Sequence, residues 1–490
     1  MLGTNTRNHF IEDHTNMTAK RPNILLVHSD QHRFDCVGVN GHPLIKTPNL
    51  DRIANEGINF THAYTPTPIC SPARASLVTG QWPTQHGCIN ITHTESYHPA
   101  NLKAPTLWQL LNDQGYHVGM VGKFHHEVAG LPTDHGVDDF VPEQHYTQWR
   151  KSQGIADQPA TQKYFGQCDP HITSNQSRMA WEVDNVLSLI DKYESNTDND
   201  AWFMRWDPSE PHLPNRIPAE LKNLYPPSGI TPWPGFPDNL QNKPYSQQRC
   251  IDNWGIRDLP WEKWQPVVSR YLAEITLLDQ QLGRILDDLE ARNILNDTLI
   301  IYTTDHGDMC GGHGMIDKHF NMYDDIMRVP LMMRWPNQIN SDHSTCDAFV
   351  IHELDIATTL CNAAGITCPE TYEGRDLLAI SNGADPSPRE DVFAMYQGAQ
   401  QGLYSIRMVR NQDWKYVFHP TDTHELYDLK TDPGELHNRI DDPTASDILK
   451  HLRQRLMTWM QSIGDPLNNS WMRSQLEPDK PSPQLPANFH

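Results

Sequence analysis

The residues best placed to do chemistry are acids that close short apolar runs, together with one cysteine set just before a helix. Asn23-Ile24-Leu25-Leu26-Val27 turns polar at His28-Ser29-Asp30-Gln31. Thr298-Leu299-Ile300-Ile301-Tyr302 ends in Thr303-Thr304-Asp305-His306-Gly307-Asp308. Short apolar runs bounded by polar residues read as buried strands. Carboxylates that end two strands of one sheet can meet at its edge and hold a divalent cation. Asp, Gln and His as neighbours offer mainly oxygen, which suits calcium or magnesium better than zinc or copper. Taken alone, Asp305-His306-Gly307 reads equally well as a turn or a helix cap.

The cysteine is Cys70, in Cys70-Ser71-Pro72-Ala73-Arg74. The chain has 9 cysteines, an odd number with no C-x-x-C pair. That spacing indicates neither a zinc site nor a disulfide framework, and the others read as structural thiols. Residues 73–77 read as the start of a helix, whose amides and dipole favour an anion, and Arg74 adds a positive charge. One reading is a low-pKa thiolate nucleophile. A soft thiolate, however, is a poor partner for a hard ion held by oxygens. An oxygen nucleophile at position 70 fits that setting better.

These groups need a frame. Residues 47–54 and 106–112 read as helices and 115–121 as another buried strand. Strands alternating with helices predict a largely parallel sheet covered on both faces, with a site at its carboxyl edge. Residues 267–289 carry a strong helical period through Tyr271, Ile275, Leu278, Leu282, Ile285 and Leu289. The stretch 215–265, rich in Pro, Asn and Gln, reads as long loops around the site. With 90–100 and 130–180 it is where substrate specificity is expected. Beyond about 385, residues 404–409 and 414–418 read as antiparallel strands, and Leu449, Leu452, Leu456 and Trp459 mark an amphipathic helix. The expected organisation is an N-terminal tail 1–20, a catalytic domain 21–385, a C-terminal α+β subdomain 386–470 and a proline-rich tail 471–490.

Composition bounds the partners. Of 490 residues 37% are hydrophobic and 20% charged, and the formal net charge is -22. So acidic a surface disfavours nucleic acid and anionic membranes. No apolar run is long enough for a membrane span. Residues 1–20 lack the basic-then-apolar order of a secretory signal, so a cytoplasmic location is expected unless a leader has been removed.

Cys70 to Arg74, followed by Ala75-Ser76-Leu77-Val78-Thr79-Gly80, resembles the signature of the type I, formylglycine-dependent sulfatases of the alkaline-phosphatase-like superfamily. Further blocks resemble the family in the expected order: 23–31, 47–54, Gly122-Lys123-Phe124-His125, Pro211-His212, Asp305 through Lys318, Met322-Tyr323 to Val329-Pro330, and Glu425-Leu426-Tyr427-Asp428-Leu429 with Asp432-Pro433. The likeness covers roughly 21–440. It implies a large mixed, mostly parallel sheet sandwiched by helices, with a smaller C-terminal unit of antiparallel sheet plus helix.

It also implies roles. A dedicated maturation enzyme, formylglycine-generating or anaerobic, converts Cys70 to formylglycine, whose hydrate attacks sulfur with one hydroxyl and expels sulfate with the other. Asp30, Gln31, Asp305, His306 and the modified Cys70 hold one calcium ion. Gln31 stands where the family often has a second acid, and His306 where other members have Asn. Arg74 hydrogen-bonds the hydrate, and Lys123 and Lys318 bind sulfate oxygens. His125 touches the hydrate hydroxyl as a base, and His212 is the general acid for the leaving alkoxide and a substrate contact. His313 either lines the substrate pocket or belongs to a turn. The expected substrate is a sulfated saccharide or small molecule, with Trp202, Trp206, Trp233, Trp254, Trp261 and Trp264 either stacking on sugar rings or filling the core. A phosphonate monoester or phosphodiester hydrolase is the alternative, because such relatives often carry the Asp-Gln pair. A non-catalytic sulfate-binding protein is disfavoured by the intact nucleophile, metal and lysine positions.

Overall fold

A computed structural model describes residues 21–477 except 92–97, 160–162, 197–200, 319, 337, 340–343 and 399–401. The expected N-terminal tail 1–20 and most of the C-terminal tail, 478–490, lie outside the described residues.

The frame is an eight-stranded sheet. In chain order its strands are β1 (Asn23–Ser29), β2 (Ile58–Tyr64), β3 (His117–Gly122), β4 (Asp139–Pro142), β6 (Trp202–Asp207), β8 (Thr298–Thr304), β9 (Met332–Arg334) and β10 (Thr345–Ile351). Two further strands, β5 (Gln167–Asp169) and β7 (Arg216–Pro218), form a small parallel pair. Across the large sheet the order is β10-β2-β9-β8-β1-β6-β3-β4. Only β9 runs against its neighbours β2 and β8, so the sheet is mixed and mostly parallel, as expected.

Every residue of β1 is buried, because helices cover both faces of the sheet. Its side chains alternate between two cores. Leu25 and Val27 pack with Leu278, Leu282 and Ile285 of the long helix Trp261–Ala291. Ile24 and Leu26 pack with Leu77, Trp108 and Ile356 on the other face. Each fully buried Leu or Ile adds about 1.5–3 kcal/mol relative to exposure, and the period-2 alternation fixes the register.

Helix α1 (Pro48–Asn55) begins where the sequence places it, but Thr47 does not cap it with its side chain. The carboxylate of Asp279 does so from the long helix, accepting from the amides of Asn49 and Leu50 at 3.0 and 2.8 Å. Helix α2 (Cys70–Thr79) is buried along its whole length and ends at Gly80 in the left-handed conformation.

The C-terminal unit is an antiparallel sheet of β11 (Val392–Gly398), β12 (Tyr404–Arg410), β13 (Trp414–Phe418) and β14 (Glu425–Asp428). The helix Ser446–Ser462 packs on it through Leu452, Leu456 and Met460. Two expectations need correcting. The stretch 215–265 is not all loop: it holds β7, a helix Tyr245–Trp254 and the start of the long helix. The tail expected from 471 opens as a helix, Ser470–Leu476. Of the six tryptophans, Trp202, Trp206, Trp233, Trp261 and Trp264 fill the core, the second of the two readings given above, and Trp254 is half-buried. No helix among the described residues is long and apolar enough to cross a membrane.

Candidate active site

The strand register builds the site. Ser29 pairs with Thr304 where β1 meets β8, and Gly122 pairs with Asp207 where β6 meets β3. The residues at the carboxyl edge of four adjacent strands are therefore Asp305, Asp30, Asp207 and Lys123. Gly122 makes the last placement possible. Its φ is +112°, and a Cβ there would lie 2.2 Å from the carbonyl oxygen of Asp207. With glycine the strands abut, and the amide of Lys123 donates to that oxygen at 2.8 Å.

Helix α2 points its first residue, Cys70, at this edge. The Sγ is 3.2 Å from His306 Nε2 and 3.9 Å from Asp30 Oδ1. Ligand atoms of Asp30, Cys70, Asp305 and His306 all lie within 4.8 Å of one another, and all four residues are buried. The ring of His306 is oriented for ligation, since its Nδ1 donates to the carbonyl of Gly307 at 3.0 Å. That leaves Nε2 facing the cluster. Burial alone would push the pKa of His306 down, but Asp305 and Cys70 raise it to about 9. Two carboxylates and an imidazole converge beside the Cys70 side chain, a group of donors that could hold a metal ion, and the two carboxylates suit a hard one.

Arg74 organises the carboxylates. Its Nε donates to Asp305 Oδ2 at 3.0 Å, one terminal nitrogen to Asp207 at 2.8 Å, and the other to Asp30 Oδ2 at 3.1 Å and to the carbonyl of Ser29 at 3.2 Å. The guanidinium and all three acids are fully buried. Each metal-side carboxylate thus gives one oxygen to Arg74 and turns the other toward the cluster. The sequence predicted a contact from Arg74 to the nucleophile, but the structure gives it the task of fixing the acids.

Cations surround Cys70. Lys123 Nζ is 2.5 Å from Asp30 Oδ2. Lys318 Nζ donates to Gln31 Oε1 at 2.8 Å and to His212 Nε2 at 2.5 Å. His212 Nδ1 in turn donates to the carbonyl of Leu213 at 2.5 Å. Burial opposes ionisation of the Cys70 thiol, yet Lys318, Lys123 and His306 hold its pKa well below the ordinary thiol value. Burial, then Lys123, depress the pKa of His125, which hydrogen-bonds Cys70.

Two predicted residues stand differently. The amide of Gln31 is occupied at both ends: its nitrogen donates to Asp308 at 2.5 Å and Asp317 at 3.2 Å, and its oxygen accepts from Lys318. It braces the lysine and does not turn toward the ion position. His313 is fully buried, stacked on Tyr323 at 3.7 Å and hydrogen-bonded to Asp238 at 2.7 Å. It belongs to a turn and does not line the cavity.

Sequence reasoning missed Asp207. The signal was present, because Trp202-Phe203-Met204-Arg205-Trp206-Asp207 is a third apolar run that closes on an acid. Asp308 closes the same run as Asp305, but its contact with Gln31, like that of Asp317, had no local signal.

A cavity of about 660 Å³ opens off Lys123, His125 and His212, large enough for an organic group attached to the reacting centre.

The family model described as Sulfatase matches residues 22–366. The model described as N-sulphoglucosamine sulphohydrolase, C-terminal, matches residues 311–462. The chain is 28% identical, over 500 residues, to an N-acetylglucosamine-6-O-sulfatase of Bacteroides thetaiotaomicron, covering 89% of this chain and 86% of the relative. A solved structure in complex with its substrate D-glucosamine-2-N,6-O-disulfate superposes with a TM-score of 0.73 at 23% identity, covering 91% of this chain and 99% of that one. A phosphonate monoester hydrolase from Silicibacter pomeroyi superposes with a TM-score of 0.78 at 21% identity, covering 90% and 96%. At those identities the two superpositions attest the fold alone.

Proposed function

The chain belongs to the sulfatase family and is a sulfuric ester hydrolase, and from that premise we propose that it cleaves a sulfate ester on a carbohydrate with a formylglycine made from Cys70. The observation that carries this reading is the meeting of Cys70 Sγ with Asp30, Asp305 and His306 at one buried edge. The similar N-acetylglucosamine-6-O-sulfatase supports a sugar as the carrier of the ester. We take the catalytic unit to end at 385, before β11.

Asp30, Asp305, His306 and the modified residue 70 would hold calcium, which supplies a positive charge that draws sulfate oxygens and favours an ionised hydroxyl. Gln31 acts one step removed, by bracing Lys318. Lys123 and Lys318 bind the sulfate and neutralise charge that grows on its oxygens as the ester bond stretches. Such preorganised donors stabilise developing charge most where water is excluded, and both ammonium groups are buried. The His212–Lys318 pair supplies the proton for the leaving alkoxide: Lys318 Nζ holds it in the contact with His212 Nε2, and transfer to that nitrogen makes His212 the general acid. A formylglycine hydrate has two hydroxyls on one carbon: one attacks sulfur, and His125 takes the proton of the other as the carbonyl reforms and sulfate departs. Arg74 is a positioning residue that keeps Asp30 and Asp305 in place throughout.

Mass spectrometry of the peptide containing position 70, from protein made alongside a maturation enzyme, is expected to show an aldehyde in place of the thiol. Cys70→Ser retains one hydroxyl and cannot expel sulfate, so steady-state turnover should collapse while substrate still binds. Full activity from an unmodified thiol, or sustained turnover by Cys70→Ser, overturns the mechanism.

A second reading rests on Gln31. Gln31 follows Asp30 as it often does in phosphonate monoester hydrolases, one of which superposes on 90% of this chain, and a phosphonate monoester carries the same single negative charge as a sulfate monoester. Rates on matched sulfate and phosphonate monoesters separate the two readings, and faster phosphonate hydrolysis favours the second.

A further inference from the structure

The wall of the cavity beside the nucleophile has an unusual balance of charge. Arg178 lines it, with its side chain 31% exposed, between two carboxylates. Its terminal nitrogens are 3.0 Å from Glu143 and 2.9 Å from Glu210, and its Nε donates to Glu210 at 3.1 Å. Two further buried acids act on the same group. Burial, then Glu210, push Glu182 well above the ordinary carboxylate range, with Arg178 opposing. Burial, then Glu210, raise Glu274 to about 8, again against Arg178. Glu143 and Glu210 therefore share one guanidinium, and Glu182 and Glu274 are pushed toward the neutral form around them. A second arginine of the lining, Arg150, is already paired with Asp169 at 2.6 Å, and Arg216 is exposed, where water screens it.

An arginine that recognises an anion must have donors to offer. Arg178 has both edges of its guanidinium engaged. The surplus lies on the acceptor side: Glu210 lines the cavity, is 8% exposed, and has a buried Oε2 with no hydrogen-bond partner. That oxygen is closed off from the cavity, so what a bound ring meets at this wall is the carboxylate charge of Glu143 and Glu210, which accepts from the hydroxyls of an uncharged ring and repels an anion. A ring carboxylate or a second sulfate would bring more negative charge to a site with more carboxyls than free cations.

We propose that this cavity selects an uncharged, hydroxyl-rich sugar ring as the carrier of the scissile sulfate, and that Glu143 and Glu210 set this preference by neutralising Arg178. The inference rests on the carbohydrate reading above. It adds a choice within that class, made by exclusion of charge as much as by attraction.

The test compares a hexose and the corresponding hexuronate, sulfated at the same ring hydroxyl, for each such hydroxyl in turn. The matured wild-type protein should prefer the neutral ring by about tenfold or more in kcat/KM, the effect of roughly one unmatched charge, with the difference carried by KM. Glu143→Gln and Glu210→Gln each free one edge of Arg178, so each should shift the ratio toward the hexuronate by about tenfold. The inference is overturned if the wild type takes the hexuronate as well as the hexose, or if folded variants leave the ratio unchanged. Should both variants fail to fold, the wild-type ratio decides alone. Hydrolysis of an aryl sulfate with no turnover of any sulfated sugar is a different outcome: it overturns the carbohydrate reading itself, and this inference with it.

Discussion

His125 holds its imidazole against the thiol at position 70, with its own backbone amide fixed by Glu127 at 2.9 Å. Burial and the nearby Lys123 ammonium both disfavour its charged form, so its pKa lies below the ordinary histidine value. A base whose pKa is depressed stays neutral, and able to accept a proton, further into acid. The rate of sulfate release should therefore persist below about pH 6.5, the unperturbed histidine value, and fall only beyond it. The pH profile of kcat reads this directly when release limits turnover. An acid limb at or above the ordinary value removes His125 from the role, as does a limb that survives in His125→Gln. Residue types at this scale were legible in the sequence where the motif is local: Cys70, Asp30, Asp305 and His306 are found together. The task of Arg74 was not legible, because its three partners come from separate strands far apart in the chain.

Elements bring those partners together, and the same rule serves each of them. An apolar run gives a buried strand, parallel neighbours align their ends, and acids at the ends meet. Applied to 202–207, the rule would have found Asp207 as well. It fails where polar residues are held across loops, as with Asp308 and Asp317 around Gln31, since no periodicity announces such contacts. The stretch 215–265 misled for a related reason: polar, proline-rich composition looked like loop throughout, yet it holds a strand and two helical segments, and Trp233, Trp261 and Trp264 pack into the core. The start of α1 shows how far a cap can be supplied from elsewhere. Asp279 accepts from the amides of Asn49 and Leu50, and burial raises its pKa to about 6. Asp279→Ala leaves those amides unanswered and should cost about 1–3 kcal/mol of stability. The folded pKa lies above the unfolded one. The carboxyl's contribution is thus fully present below about pH 3.9 and declines as pH rises through 6. Urea unfolding of wild type and variant at pH 5 and pH 8 checks both the cost and its shrinkage with pH. An equal cost at both values would remove the titration from the account.

At the scale of the whole molecule, the C-terminal unit clamps the segment that carries half the site. Lys415 of β13 is buried and pairs with Asp324 at 2.5 Å and Glu435 at 2.7 Å. The adjacent Asp325 is 2.5 Å from Arg33, which donates to the carbonyl of Asp308 at 2.8 Å. The active-site loop is thereby tied to the C-terminal sheet through a chain of charges. The rest of the surface is strongly acidic, with a formal net charge of -22, while Lys123 and Lys318 lie buried at the bottom of the site. A polysulfated chain approaching this molecule meets repulsion before it meets the lysines, and that repulsion reaches only about a Debye length, ~10 Å at 0.1 M salt. For such a chain kcat/KM should therefore rise severalfold as sodium chloride is raised from low to physiological strength, with kcat unchanged, because screening acts on encounter and not on chemistry. A monosulfated neutral sugar carries one charge and should show a much weaker dependence. A kcat/KM that falls with salt for the polysulfated chain would instead mean that a local cationic track overrides the net charge.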